Sequence, residues 1–278
     1  MVQQEGYREP SAAGSFYPGE PEILARRIRT FLEGEPTLPD PGPIGLICPH
    51  AGYDYSGGTA GRAYRELKGR PPEAVIVLGP SHYDRFRGAT SWPGMGYRTP
   101  LGEVPYPRDI AELLLADADA EIHANRLGHR EEHSVEVQIP FLQEVAPGVP
   151  VLPLVIADVR SETCSQIGKV LARAVGSRRV VIVASSDLYH GHSNRECRET
   201  DARTLGALER NDAADLVDGF QTGLLQACGR GPILAALEAC RELGATHVRV
   251  LSRTNSDEVT GRSGGYVVGY AAAAITRR

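Results

Sequence analysis

Three histidines in this sequence follow short apolar runs, a pattern typical of residues just beyond the ends of buried strands. The runs and the histidines that follow them are Ile44–Cys48 with His50, Ala74–Gly79 with His82, and Val180–Ala184 with His190. Buried parallel strands read as continuous apolar runs, and open α/β sheets bind ligands beyond the carboxyl ends of their strands. Neutral imidazole is the commonest metal ligand in proteins. The spacing therefore predicts a metal or proton-transfer site at one edge of a sheet, with His50 and His82 at adjacent strand ends.

Asp187 and Cys228 are two further residues whose types suggest chemistry. Asp187 stands three residues before His190, a spacing that lets a carboxylate orient an imidazole as an acid or base, although a helix cap is the alternative. Cys228 precedes Gly-Arg-Gly-Pro at a predicted helix start, where the helix dipole and Arg230 would favour the thiolate. Such a thiolate is a candidate metal ligand or nucleophile.

An acidic segment with one histidine follows His129. It contains Glu131, Glu132, His133 and Glu136. If this segment is helical, His133 and Glu136 share one face and are candidates to support the site from behind; the alternative is a solvated helix surface. His129 and His133 also have the spacing of a zinc-protease motif, but the residues between them do not match that motif.

The remaining elements alternate between strands and helices. Apolar runs predict strands at 149–156, 247–251 and 265–275, and helical periodicity or helix-start residues appear at 21–32, 161–175, 195–209, 211–220 and 228–243. The glycines of Gly57–Gly61 predict a tight turn beside a helix at Thr59–Leu67. This alternation predicts an α/β protein with a mixed, largely parallel sheet and helices on both faces, in one domain over residues 1–278.

The composition limits the classes of function. The chain has 278 residues, 41% of them hydrophobic and 23% charged, which is typical of a folded globular protein. The net charge of -5 gives no field that would favour nucleic acid. Met1–Pro10 lacks the apolar stretch of a signal peptide, and Val267–Ile275 is far short of the ~20 apolar residues that span a bilayer. The five cysteines form no CxxC pair, so we expect a reduced, cytoplasmic protein that binds neither nucleic acid nor membrane.

Five segments, in order along the chain, resemble the Memo family, whose bacterial and archaeal members are named AmmeMemoRadiSam system protein B. These segments are CPHAGYDYSGGTAGRAY, LGPSHYDRFRGA, REEHSVEVQIPFLQ, SSDLYHGH and ACGRGPI. The opening AAGSFYPGEP and the closing Ser263–Tyr266 also match, so the resemblance covers nearly the whole chain. The family is similar in fold to the class III extradiol dioxygenases, which use non-haem iron(II). The resemblance therefore implies an α/β fold with a metal at the edge of its sheet.

The resemblance also implies a set of metal ligands. His50 and His82 match the family's two metal histidines, and Cys228 matches its third, thiolate ligand. The dioxygenases complete their site with a carboxylate instead, which leaves positions open at the iron. The expected cofactor is one divalent metal, with iron(II) first. Because a thiolate makes the site softer, copper and zinc are the alternatives.

Further roles follow from the same resemblance. His190 stands in the place of the dioxygenases' acid/base histidine, with Asp187 beside it. Phe16 and Tyr55 match positions that line the family's pocket, where eukaryotic members are reported to bind phosphotyrosine peptides; those members have tryptophan at the position of Phe16. The system name implies a radical-SAM protein and an AMMECR1-like protein as partners.

Three functions are consistent with these residues. The first is a dioxygenase-like oxidoreductase that acts on a small, aromatic substrate. The second is a non-catalytic module that binds a metal or a peptide and works with the radical-SAM partner. The third is a thiol enzyme with Cys228 as its nucleophile.

Overall fold

Strands and helices alternate along the part of the chain that this computed structural model describes, residues 5–119 and 121–277. The predictions of one domain over 1–278 and of a polar segment at Met1–Pro10 include residues 1–4, 120 and 278, which lie outside the described residues. Within the described ranges, no helix is both long and apolar enough to cross a bilayer.

The bounds of the elements agree with most of the predicted ones. The strands are β1 (Glu5–Arg8), β2 (Gly45–Cys48), β3 (Ala74–Pro80), β4 (Ala89–Ser91), β5 (Gly94–Thr99), β6 (Gly102–Glu103), β7 (Ile122–Ala124), β8 (Val151–Ile156), β9 (Val180–Ser185), β10 (His190–Gly191), β11 (His247–Asn255) and β12 (Val267–Thr276). The α-helices are α1 (Pro21–Phe31), α2 (Tyr53–Tyr64), α3 (Arg108–Ala116), α4 (Ile139–Val145), α5 (Ser161–Val175), α6 (Asn194–Arg210), α7 (Ala213–Thr222), α8 (Arg230–Glu242) and α9 (Ser256–Thr260). Short 3-10 helices lie at Arg65–Leu67 and Glu136–Gln138.

The main sheet has the order β10-β12-β2-β9-β3-β8-β4-β7. Strand β11 also pairs with β12, along the edge opposite to the one that pairs with β2. Its centre is parallel, because β9 pairs in parallel with both β2 and β3, and β3 pairs in parallel with β8. Antiparallel pairs flank this centre, β12 with β2 on one side and β4 with β8 on the other. The sheet confirms the predicted fold class.

Each face of the sheet carries its own layer of helices. Neighbouring residues of a strand point to opposite faces, so Ile47 joins one hydrophobic core and Leu46 the other. Helices α3, α5, α6, α7 and α8 pack on the Ile47 face, and α1, α2 and α4 pack on the Leu46 face. The central strands are therefore buried on both sides, which is why their sequences are continuous apolar runs.

Helix α2 begins at Tyr53, six residues before the predicted start, and the predicted turn at Gly57–Gly61 is wrong. These glycines lie inside the helix, and α1 passes very close to two of them, Gly57 and Gly61. A Cβ atom at Gly57 would lie 2.4 Å from the ring of Phe31, and one at Gly61 would lie 2.3 Å from the Phe31 carbonyl oxygen. The glycines therefore allow two helices to pack at a distance that no other residue permits.

Glu136 is buried in a hydrogen-bond cluster with the amino-terminal segment, so the predictions of a solvated face and of a shared role with His133 are wrong for this residue. Its carboxylate accepts from the Arg8 guanidinium and the Tyr17 hydroxyl, and from the backbone N–H of Ala12 at 2.9 Å. The physical reason is that an α-helix does not form over 133–138, since the 3-10 helix begins only at Glu136.

We expect removal of one partner of the Arg8–Glu136 pair to be strongly destabilising, since the two side chains are only 2% and 0% exposed. Arg8→Met would leave a buried carboxylate without its cation, which costs about 3 kcal/mol in the free energy of unfolding. Urea unfolding measures this loss. The control is Arg195→Met, which removes an exposed ion pair with Glu199 and should cost less than about 1 kcal/mol. Equal midpoints and slopes for the two variants would contradict the expectation.

Candidate metal centre

The strands that carry the candidate residues end at the same level of the sheet. In the parallel register Cys48 lies opposite Ser185 of β9, and Leu78 of β3 lies opposite Ala184. The sequence predicts His50 and His82 at adjacent strand ends. This prediction is wrong, because β9 lies between β2 and β3. Two strand spacings amount to roughly 10 Å. The loops therefore bend inward over the end of β9, which brings the two ring centroids to 5.2 Å, edge to face.

Cys228 completes a group of three potential ligands with the two histidines. Its Sγ lies 3.1 Å from Nε2 of His50, and the donor atoms of Cys228, His50 and His82 all lie within 4.8 Å of one another. A sulfur and a nitrogen bound to one ion at about 2.3 and 2.05 Å, at a right angle, are about 3.1 Å apart. The Cys228–His50 pair therefore has the spacing of two ligands of one transition-metal ion, and the donor atom of His82 lies within 4.8 Å of both.

Cys228 lies just before α8 and is held in place by Ser186 and Asp187, the two residues that follow β9. The Asp187 N–H donates to the sulfur at 3.2 Å, and the Cys228 N–H donates to the Asp187 carbonyl oxygen at 3.1 Å. Burial first, and then the charge of Asp187, raise the pKa of Cys228 to about 12. The helix start and Arg230 therefore do not bring the pKa of this buried thiol below its ordinary value. A neighbouring cation is the interaction that would favour the thiolate.

A hydrogen-bond chain fixes the tautomer of His50. Its Nδ1 lies 2.9 Å from Oγ of Ser185, whose own proton goes to the Ser134 carbonyl oxygen at 2.6 Å. Gln138 donates to the same Oγ at 2.8 Å and to the Pro49 carbonyl oxygen at 2.9 Å. Ser185 must therefore accept from His50, so Nδ1 carries the hydrogen and Nε2 presents its lone pair to the sulfur. Burial, and then the neighbouring imidazole, lower the pKa of His50 to about 3, which keeps the ring neutral.

Glu132 fixes His82 in the same way. Its carboxylate accepts from the His82 backbone N–H at 2.6 Å, from His82 Nδ1 at 2.9 Å and from the Ser134 N–H at 2.9 Å. Burial acts to raise the pKa of Glu132, but the hydrogen bond and charge of His82 outweigh it and lower the pKa to about 2. Nε2 of His82 is therefore left for an ion. The sequence alone places Glu132 only in an acidic cluster, and the one signal in it is the position of Glu132 next to His133.

His133 packs into a stack of rings behind the ligands. Its ring lies parallel to that of His82 at 4.8 Å and to that of Phe16 at 4.2 Å, and it meets the ring of His50 edge-on at 5.5 Å. Burial, and then the charge of His50, lower the pKa of His133 to about 4. Its Nδ1 is buried without a hydrogen-bond partner among the described residues, and it lies 3.6 Å from Glu132. His133 and Phe16 therefore help to hold the ring of His82 in its orientation.

The structure places His190 at the site but gives it a different partner from the predicted one. The Nδ1–H of His190 donates to the Leu188 carbonyl oxygen at 3.0 Å, which leaves Nε2 as the acceptor. Oδ1 of Asp187 accepts instead from the backbone N–H of His50 at 2.8 Å and of Ala51 at 3.3 Å. Asp187 therefore fixes the loop after β2 rather than the imidazole, and it caps no helix. Burial raises the pKa of Asp187.

Exposed aromatic side chains follow two of the candidate ligands in the chain. Tyr55 lies in the first turn of α2, five residues after His50, and is 46% exposed. Tyr83 is directly next to His82 and is 60% exposed. The predicted place of Tyr55 in a pocket remains a prediction, whereas Phe16 contacts the ligand group through His133.

Comparison with known proteins gives the family of the chain. The sequence profile of the Memo-like protein family matches residues 8–274. A MEMO1 family protein of Methanosarcina barkeri is 34% identical over 95% of this chain and 98% of its own, and one of Aeropyrum pernix is 35% identical over 96% and 99%. The crystal structure of an uncharacterized Escherichia coli K12 protein, JW3007, shares the fold with a TM-score of 0.50 and 15% identity, over 84% of this chain and 99% of that one. The match spans all three potential ligands, and the chain belongs to the Memo-like protein family.

Proposed function

We propose that this chain binds one divalent metal ion through His50, His82 and Cys228 and acts as an oxidoreductase on a small, aromatic substrate. The observation that carries the proposal is the convergence of three donor atoms from three separate loops within 4.8 Å. Two of these donors are imidazole nitrogens whose opposite Nδ1 atoms are already hydrogen-bonded, so both Nε2 lone pairs are available. Hydrogen-bonding partners of this kind are typical of histidines that bind metals.

Iron(II) is the first expectation for the ion. Two histidines and one further anionic ligand leave open positions at such an ion, which supplies redox chemistry and a place for substrate when it is bound. A sulfur ligand also suits copper and zinc, so these metals are the alternatives.

His190 is the group that we assign to proton transfer. The Leu188 carbonyl oxygen holds its Nδ1–H, so Nε2 is ready to accept a proton from a substrate hydroxyl. His190 and Cys228 line the same cavity, which supports a base and a metal ligand that act on one substrate. Asp187 contributes by holding the His50 loop through two backbone N–H groups.

All five cysteines are free and are described by the structure. Unpaired thiols are typical of proteins in reducing compartments. We therefore propose that the chain works in the cytoplasm.

The cysteine ligand supports a second candidate function. A thiolate in the place of a carboxylate favours tight binding of a soft metal over cycling of iron. The chain would then be a non-catalytic metal-binding module that serves a radical-SAM protein, with an AMMECR1-like protein as a further partner. The thiol-enzyme alternative has less support, because a thiol with a pKa of about 12 is a poor nucleophile at neutral pH.

The ligand assignment predicts that His50→Ala loses the metal. After anaerobic loading with iron(II) and removal of free ion, metal analysis should give one iron per wild-type chain and almost none in the variant. The control is His123→Ala, since His123 is exposed in β7, and this variant should retain the full iron content. Equal iron content in wild type and His50→Ala would rule out the assignment.

The role of Glu132 predicts a matched pair of carboxylate variants. Glutamine at position 132 has one acceptor and one donor end, so it cannot accept the three hydrogen bonds that the carboxylate receives. Glu132→Gln should weaken zinc affinity roughly 10- to 100-fold, as measured by competition with a chromophoric chelator. Glu131→Gln, next to it in the chain but exposed, should bind zinc as the wild type does. Equal affinities for the two variants would remove Glu132 from the site.

The role of His190 is tested by turnover. A screen of catechols in air with the iron-loaded wild type should find a substrate that is oxidised, and His190→Ala should lower kcat on it by roughly 100-fold or more. Its iron content should stay unchanged, and His192→Ala, which alters the exposed histidine two residues later, is the control. If the wild type binds one iron tightly and turns over no catechol, the second candidate function is favoured instead.

A further inference from the structure

A cavity of about 260 Å3 lies beside the proposed metal site. The segment between α7 and α8 forms most of its wall, and the residues before β10 form the rest. Two of the lining residues, His190 and Cys228, belong to the site already described. The other lining residues are Leu188, Phe220, Gly223, Leu225, Gln226, Ala227 and Arg230.

Arg230 gives this cavity its charge. Among the nine lining residues, all of which are described, Arg230 is the only one with a permanent charge, and no carboxylate lines the wall. A guanidinium has five N–H donors. Arg230 uses one of them in a long hydrogen bond of 3.5 Å to the Phe220 carbonyl oxygen, and the described residues include no carboxylate paired with it.

The rest of the wall is mixed, with polar side chains such as Gln226 beside apolar ones. Leu188, Phe220 and Leu225 are buried residues whose side chains belong to the hydrophobic core on the Ile47 face. A cavity with one fixed cation, apolar side chains on part of its wall and the proposed metal site at its edge fits a small ligand with an anionic end. Planar carboxylates match the guanidinium best, because they accept two parallel hydrogen bonds from it.

We propose that this cavity binds the substrate and that Arg230 recognises its carboxylate, so that the substrate class is a small aromatic or other ring-sized carboxylic acid. The opposite end of such a molecule faces His190 and Cys228. This inference rests on the proposed function for the reaction itself, but the binding of the anion depends only on Arg230 and the cavity.

Arg230 also has a structural alternative, since its hydrogen bond to Phe220 ties the end of α7 to the start of α8. A purely structural arginine would affect all ligands of the cavity equally, through a change of its shape. A residue that recognises a carboxylate affects only the ligands that carry one. The two roles are therefore separated by two probes with the same ring and similar size, of which only one carries a carboxylate.

The probes are benzoate and benzyl alcohol, titrated into ¹⁵N-labelled metal-free protein and followed by chemical shifts. We expect the wild type to prefer benzoate, and Arg230→Met to weaken benzoate roughly 10-fold or more while benzyl alcohol changes less than about twofold. Arg230→Lys should recover part of the loss. Arg241→Met is the matched control, because Arg241 lies at the other end of α8 and pairs with Glu238.

Three outcomes would overturn the proposal: a wild type without preference for benzoate, an Arg230→Met variant that binds benzoate as the wild type does, or equal weakening of both probes. Iron content is measured on the same samples after separate anaerobic loading. If the wild type binds no iron but still prefers benzoate over benzyl alcohol, the metal proposal is refuted and this one is supported. Full iron binding without charge selectivity would do the reverse.

Discussion

The parallel pairing of β9 with both β2 and β3 is the constraint on which the candidate site depends. This register sets Ser185 opposite Cys48 and Ala184 opposite Leu78, so the loops that follow start at one level. A slip of one residue would turn every side chain of a strand to the other face. Because both faces are covered by hydrophobic cores, such a slip would expose or clash with apolar side chains throughout the sheet. Residues far from the site therefore fix its geometry.

A second layer of hydrogen bonds converts this geometry into a set of oriented donors. Ser185, Glu132 and the Leu188 carbonyl oxygen each hold the Nδ1 of one histidine, and each leaves the Nε2 of that ring free. Ser185 and Glu132 lie far along the chain from His50 and His82, so no local motif specifies these two acceptors, whereas Leu188 is only two residues from His190. Their common effect is to remove the choice of tautomer before any ligand arrives, which lowers the cost of reorganisation on binding.

The sequence was most informative where the signal is local. Continuous apolar runs followed by histidine predicted the strand ends, because burial on both faces leaves no polar position within a strand. The order of the strands could not be predicted from the sequence, since the insertion of β9 between β2 and β3 depends on long-range pairing. Glu136 was predicted to support the site on the assumption that 133–138 is helical. The tertiary contact of Glu136 with Arg8 gives it another role, and Glu132 supports His82 instead. Burial likewise outweighed the helix-start argument for Cys228.

The charges around the site explain why a cation and an anionic ligand would suit it together. A divalent cation bound to His50, His82 and Cys228 would displace the thiol proton, and the thiolate would then offset one of the two positive charges of the ion. The buried carboxylates of Asp187 and Glu132 lie behind the donors, bonded to the loops that carry His50 and His82. Arg230 faces the cavity on the other side. Arg230 would therefore add positive charge beside a bound cation, and this combination would favour a ligand with an anionic end.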